Sequence, residues 1–397
     1  MYRDDIGGDP FKFFQKQALT KMESMSKEEE EKRLLANKLF QSAMEGIMIT
    51  DTRGLIKLLN PAFSRITGYG EEVIGLNPRV LKSGKHGKAF YEQIWNSVEK
   101  KGQWKGEIWN RRKNGELYVQ WTTITVIRDD HGSAIYYAGV FTDITKRKKE
   151  EEKLRNDILL AREIQKGLLT KPIHDKYIHI EGIYFPSILL GGDMYVWYKI
   201  DDHRYGIFLM DVMGHGVASA LVCVSLRSLL EGIITRCVSP EKVINELNRQ
   251  VNALFSHDDF DSKKYYLTGF YVVVDTYKKS IHYASAGHPP GFLIDESGHP
   301  TELNIGSIPL GMMDEIEIQT GIVDYSGETK LVLYTDGMIE NEDCTTRENI
   351  ENLKNTILKN RKMEANELLS EVVSSFSNRD GTLKFHDDAA MIVATIF

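Results

Sequence analysis

Cysteine is scarce in this 397-residue chain, and the three present, Cys223, Cys237 and Cys344, are scattered. They form neither a disulfide framework nor a metal-ligand spacing, so the fold must rest on its hydrophobic cores. Basic residues are not in excess: 50 Lys and Arg stand against 57 Asp and Glu, a net charge of −7. Nucleic-acid binding therefore has no general electrostatic support. No uncharged apolar run approaches bilayer-spanning length, and the opening Met1-Tyr-Arg-Asp-Asp5 has no signal-peptide apolar core. The expectation is a cytoplasmic chain without membrane insertion. Internal repeats, low-complexity tracts, P-loops and kinase-type motifs are missing as well. What remains is an ordinary globular composition, 42% hydrophobic and 27% charged, long enough for two or three domains.

Four aspartates stand out against that background. Asp193 ends Gly191-Gly-Asp193, and Asp211 opens Asp211-Val-Met-Gly-His-Gly216. Asp336 lies in Tyr334-Thr-Asp-Gly337, and Asp387 begins the pair Asp387-Asp388. Each borders an apolar, strand-like run, and glycines flank three of them. Carboxylates buried at strand ends are costly unless a cation compensates them. An all-oxygen donor set favours a hard ion such as Mg²⁺ or Mn²⁺. Two such ions can activate a water and clamp a phosphoryl group for in-line attack.

The chain divides into four stretches. Residues 1–36 are a polar leader running into a helix, with Glu28–Glu31 as a solvated face. Residues 37–145 form a separate α/β unit with a strand then a turn over 46–54, a second strand at 56–60, short helices at 62–67, 71–74 and 89–100, and strands at 102–110, 116–128 and 134–142. Residues 146–170 form a helical linker, whose Leu154, Ala161 and Leu168 fall seven apart. That helix either packs on its own domain or pairs in a dimer; its position between two units favours the dimer. Residues 171–397 alternate strands (177–185, 194–199, 204–211, 264–275, 280–285, 291–294, 316–323, 330–334, 389–396) with helices paired at 215–234 and 240–255, and at 347–360 and 364–377.

Residues 37–145 resemble a PAS sensor domain through Asn60-Pro-Ala-Phe63, Thr67-Gly-Tyr69, Trp109-Asn-Arg-Arg-Lys-Asn-Gly115 and Asp143-Ile-Thr145. The resemblance implies a small antiparallel sheet flanked by helices that senses a ligand or mediates dimers. No cysteine lies in 37–145, which excludes a flavin–cysteinyl adduct. His86 and His131 are the only local histidines, both in polar turn sequence, which disfavours haem. Trp104, Trp109 and Trp121 leave a bound flavin open, although strand aromatics are more often core. The ligand of this unit is unknown from sequence.

Residues 158–397 resemble the metal-dependent (PPM) serine/threonine protein phosphatases of the SpoIIE type. The four aspartate motifs carry the resemblance, together with Arg162-Glu-Ile-Gln-Lys-Gly-Leu-Leu169, Ala286-Gly-His-Pro-Pro290 and Ile308-Pro-Leu-Gly311. The implied fold class is α+β: a PAS unit, a helical linker and an α/β/β/α sandwich. The resemblance further implies that Asp193, Asp211, Asp336 and Asp387 are the catalytic metal ligands. Asp211 would bridge the two ions and the Val212 carbonyl would contribute beside it, with Asp388 in support. His215 is either a general acid or a packing residue at the helix start, and His288 reads as structural. The sequence departs from many relatives at Val196, where they carry a second carboxylate. The implied partner is a phosphorylated STAS-type anti-sigma-factor antagonist, and the chain is expected to be a homodimer. The rival class is a non-enzymatic pseudophosphatase that signals by binding, against which the intact aspartate set argues.

Overall fold

The computed structural model describes residues 27–255, 266–340, 345–376 and 385–397. Expectations for residues 1–26, for Cys344, for residues 264–265 and for residue 377 lie outside the described residues. The chain separates into two compact units, Met1–Leu154 and Arg155–Phe397.

In the first unit a helix over 27–42 (α1) precedes strands β1 (Gly46–Asp51) and β2 (Ile56–Leu59). Helix α2 (Pro61–Thr67) follows because Asn60 caps it: the Asn60 side chain accepts from the Phe63 N–H, and Pro61 occupies the first turn. Gly68 at φ 76° ends it. Next come 3₁₀ turns at Glu71–Val73 and Pro78–Leu81, helix α3 (Lys88–Lys101), and strands β3 (Gln103–Arg111), β4 (Leu117–Arg128) and β5 (Ala134–Asp143). The sheet order is β2-β1-β5-β4-β3, antiparallel throughout. Ile56, Phe63, Val73, Leu81 and Phe141 form one core, and Ile94 and Val98 of α3 pack on Ile108 to form another.

The linker is a single helix, α4 (Thr145–Leu168). Its expected heptad set does not share one environment. Leu154 is 61% exposed, whereas Leu168 packs into the core of the second unit. Sequence period alone cannot distinguish a seam from a docking face, and here the last turns of α4 dock.

The second unit continues with β6 (Ile173–His174), β7 (Ile178–Phe185), β8 (Asp193–Lys199), β9 (Arg204–Val212), α5 (Val217–Cys237) and α6 (Pro240–Phe255). Strands β10 (Leu267–Asp275), β11 (Ser280–Ala286), β12 (Gly291–Ile294), β13 (Pro300–Leu303), β14 (Gly306–Ser307), β15 (Gly321–Asp324) and β16 (Thr329–Tyr334) follow. Helices α7 (Thr346–Lys359) and α8 (Ala365–Ser374) and strand β17 (Ala389–Ile396) complete it. One sheet runs β14-β11-β10-β9-β8 with β15 on β11; the other runs β13-β12-β16-β17-β7-β6.

Period-two alternation builds the layers. In β8, Tyr195 and Trp197 face the other sheet and join Ile207, Leu209, Phe270 and Ile392. Met194 and Val196 face the opposite way and pack with Cys223, Leu226 and Leu230 of α5 and Val243 and Leu247 of α6. Helices α7 and α8 cover the second sheet through Leu353, Ile357, Leu368 and Val372. The result is the expected α/β/β/α sandwich. It also explains Val196, which is fully buried under α5, where an unpaired carboxylate would be costly.

One expectation needs correction. The strand expected at 316–323 is confined to Gly321–Asp324, because Ile316 and Ile318 instead pack against the α5–α6 core. Helix α5 is long and apolar enough by composition to cross a bilayer, but Arg227, Glu231 and Arg236 interrupt it, so it is not an uncharged run of the kind the sequence lacks. Its apolarity has a structural cause, since Cys223, Leu226, Leu230, Ile233 and Ile234 are buried within the unit.

Candidate metal centre

Sheet pairing brings the four aspartates to one end of the sandwich. Asp193 opens β8 and Asp211 nearly closes β9, and the two are direct register partners across the antiparallel pair. Asp336 starts a 3₁₀ turn immediately after β16, and Asp387 immediately precedes β17, the neighbour of β16. Each sheet therefore presents two carboxylates. Like charges directly opposite on a ladder destabilise it unless something compensates.

Two glycines make the close approach possible. A Cβ at Gly192 would collide with the Val212 carbonyl oxygen, and one at Gly337 would collide with the Asp388 carbonyl oxygen. The Val212 carbonyl thus lies against the Gly-Gly-Asp turn, next to Asp193.

The electrostatics follow from this crowding. Asp193 is 1% exposed; burial and then the neighbouring Asp211 push its pKa well above the usual carboxylate range. Its Oδ1 is buried without a partner. Burial and then the charge of Asp336 push Asp211 up to about 7. Burial, then Glu340 and Asp387, push Asp336 up to about 6. Among the described residues no three His, Cys, Asp or Glu side chains close into a ready-made metal cluster. The donor set nonetheless fits a hard divalent cation: it is all oxygen, and it carries an orphaned buried carboxylate oxygen.

Asp388 has another task. Its Oδ1 accepts from the Ser187 N–H at 2.7 Å and the Ser187 hydroxyl at 2.9 Å, and its Oδ2 accepts from the Gly192 N–H at 2.6 Å. It braces the turn that carries Asp193, in line with a supporting role. His215 is exposed in the turn before α5. His288 is buried, bonded through Nδ1 to Thr268 at 2.7 Å, and pushed down to about 3 by burial. It is a neutral packing histidine at ordinary pH.

Sequence reasoning missed three braces of the same turn. Gln165 of α4 is 2% exposed; its Nε2 donates to the Gly191 carbonyl at 2.7 Å and its Oε1 accepts from the Gly191 N–H at 3.4 Å. The Cys223 thiol donates to the Gly192 carbonyl. The Thr335 hydroxyl donates to Asp193 Oδ2 at 2.6 Å. A polar residue on the inward stripe Ala161–Gln165–Leu168 is the signal that could have revealed Gln165.

In the first unit, His86 accepts the Trp109 N–H on Nε2 and stacks on Phe90, so that nitrogen is already engaged. Trp121 is 48% exposed and does not line the interior.

Comparison with known proteins agrees with this architecture. Residues 201–397 match the model of the stage II sporulation protein E (SpoIIE) family, and residues 44–146 match that of the PAS domain family. Phosphoserine phosphatase RsbP of Bacillus subtilis is 41% identical over 186 residues, which is 47% of this chain and 46% of RsbP. The chain thus matches about half the length of that relative. Phosphoserine phosphatase RsbU of the same organism is 25% identical over 248 residues, 61% of this chain and 71% of RsbU. The SiaA-PP2C domain of Pseudomonas aeruginosa superposes with a TM-score of 0.51 at 17% identity, covering 62% of this chain and 98% of that domain. That likeness shows the fold.

Proposed function

We propose that the chain is a PAS-regulated, metal-dependent protein serine/threonine phosphatase. Asp193, Asp211, Asp336 and Asp387, with the Val212 carbonyl, would hold two Mn²⁺ or Mg²⁺ ions. The observation that carries the reading is the meeting of these carboxylates, two from each sheet, with Asp193 Oδ1 buried and unpartnered. Bound there, the ions would supply water activation and neutralise charge on the phosphoryl group. The residues themselves fix the ligands, through Asp388 and Gln165 on the Gly-Gly-Asp turn. The substrate class we assign is a phosphoserine- or phosphothreonine-bearing protein, with a STAS-type anti-sigma-factor antagonist as the favoured partner. The resemblance to RsbP and RsbU supports this choice.

The test is hydrolysis of a phosphoserine peptide and of p-nitrophenyl phosphate by the full chain. Activity is expected with Mn²⁺ or Mg²⁺, to vanish with chelator, and to be poor with Ca²⁺, whose longer bonds and looser geometry suit the site badly. Chelator-resistant turnover, or equal rates in Ca²⁺, would refute the assignment. No turnover with any of these ions would favour the pseudophosphatase.

Regulation through the linker belongs to the same reading. Helix α4 leaves Leu160 and Ile164 63% and 56% exposed, one turn apart, while Gln165 of the same helix grips Gly191. These exposed residues suit a homodimer seam, and Gln165 suits transmission to the Asp193 turn. Leu160→Glu with Ile164→Glu should yield a monomer whose activity no longer depends on the PAS unit. Sedimentation and phosphatase assays check this; unchanged assembly and unchanged regulation would sink it. A flavin remains the candidate PAS ligand, and the visible spectrum of the purified chain reads it directly.

A further inference from the structure

We propose that Thr335 is a positioning residue for Asp193, fixing which carboxylate oxygen is offered to the cation. The proposal rests on the metal-dependent reading above. Thr335 is fully buried at the end of β16, in the second sheet, while Asp193 opens β8 in the first. A threonine hydroxyl has one proton to donate and two lone pairs to accept with. The Ala390 N–H already donates to Thr335 Oγ1 at 2.8 Å. The hydroxyl proton is therefore free for an acceptor, and Asp193 Oδ2 lies at 2.6 Å. The competing Ala390 carbonyl is at 3.4 Å and is the poorer acceptor. A 2.6 Å separation falls within the range of a well-formed O–H···O hydrogen bond.

This bond ties up Oδ2 and leaves Oδ1, the buried oxygen without a partner, as the oxygen presented to the site. The same hydroxyl joins three of the four carboxylate motifs. It precedes Asp336, it holds Asp193, and it receives the N–H of Ala390, three residues after Asp387. One side chain thus links a ligand of the first sheet to the strand ends that carry both ligands of the second. Partners that orient a metal's ligands typically change metal affinity by 10–100-fold when removed.

The experiment compares Thr335→Val, which keeps the shape and loses the hydroxyl, with Thr335→Ser, which keeps the hydroxyl and loses the methyl. Mn²⁺ affinity is measured on the full chain by titration calorimetry. Turnover is followed against Mn²⁺ concentration, and Tm is recorded in chelator. For Thr335→Val we expect Mn²⁺ binding about 10–100-fold weaker, and turnover at saturating Mn²⁺ falling much less. For Thr335→Ser we expect Mn²⁺ affinity within about threefold of wild type, even where Tm drops. A residue that merely packs between the sheets gives the reverse: Ser the more harmful, and metal affinity unchanged in Val. Either that pattern, or a Ser variant that has lost Mn²⁺ affinity, overturns the proposal, and the Ser result decides even where Val does not fold. A wild-type chain that binds no Mn²⁺ overturns the underlying metal-dependent reading as well, which separates the two failures.

Discussion

Asp211→Asn and Asp336→Asn should each lower phosphatase turnover by at least about 10³-fold, a loss of about 4 kcal/mol of transition-state stabilisation. Both positions lie at strand ends that converge on the candidate centre, and in the proposed function each carboxylate would supply charge to hold and balance the cations. An amide keeps the shape and one oxygen donor but removes that charge. Loss should therefore appear both as weakened Mn²⁺ affinity and as reduced turnover at saturating Mn²⁺.

The same variants carry a second expectation of opposite sign. Without metal, Asp211 and Asp336 are half-buried among like charges, and their ionisation is resisted. Removing either charge relieves that repulsion. In chelator near pH 8, both variants should therefore melt at the same temperature as wild type or higher. A dead enzyme with an unharmed or strengthened metal-free fold distinguishes a site defect from a folding defect. Near-native turnover in Mn²⁺ would remove the residue from the site.

The layers of the second unit were legible because its strands carry dense apolar runs ended by Asp, Gly or Thr, and because β10, β11 and β17 are long. The aspartates were legible for a related reason: a carboxylate where an apolar strand ends is conspicuous. The braces were not, since Gln165, Thr335 and Cys223 act on the Gly-Gly-Asp turn from α4, from the end of β16 and from α5. Only the sandwich brings those elements together, across as many as 142 residues of sequence for Thr335 and Asp193. The linker helix was legible, but which of its apolar residues dock was not. Leu154, Ala161 and Leu168 share a period, but Leu168 meets the α5–α6 core while Leu154 stays exposed. The short strands β6, β13 and β14 carried too few residues to show a period. The 3₁₀ turn at Pro78–Leu81 depends on an Asn77 cap that a sequence pattern alone leaves as a loop.

The last expectation concerns pH. Asp211 and Asp336 are pushed up to about 7 and about 6 in the folded chain, against an ordinary aspartate value of 3.8. Between about pH 4 and pH 7 the folded state therefore binds more protons at these groups than the unfolded state does. Stability then falls as pH rises through that window, because folding must hold these carboxylates against ionisation. A divalent metal bound there would reverse the balance, since it would bind the ionised carboxylates and release their protons. Its affinity should rise across the same window. Stabilisation by a bound ion grows as RT ln(1 + [L]/Kd), about 2.7 kcal/mol at a hundredfold excess over Kd. Melting temperatures in chelator and in a fixed Mn²⁺ concentration should accordingly lie close together near pH 5 and separate progressively toward pH 8. In Asp211→Asn, whose position no longer titrates, the separation should be smaller at every pH. A gap that stays constant from pH 5 to pH 8 would mean that the cation binds elsewhere and that these carboxylates are not its ligands.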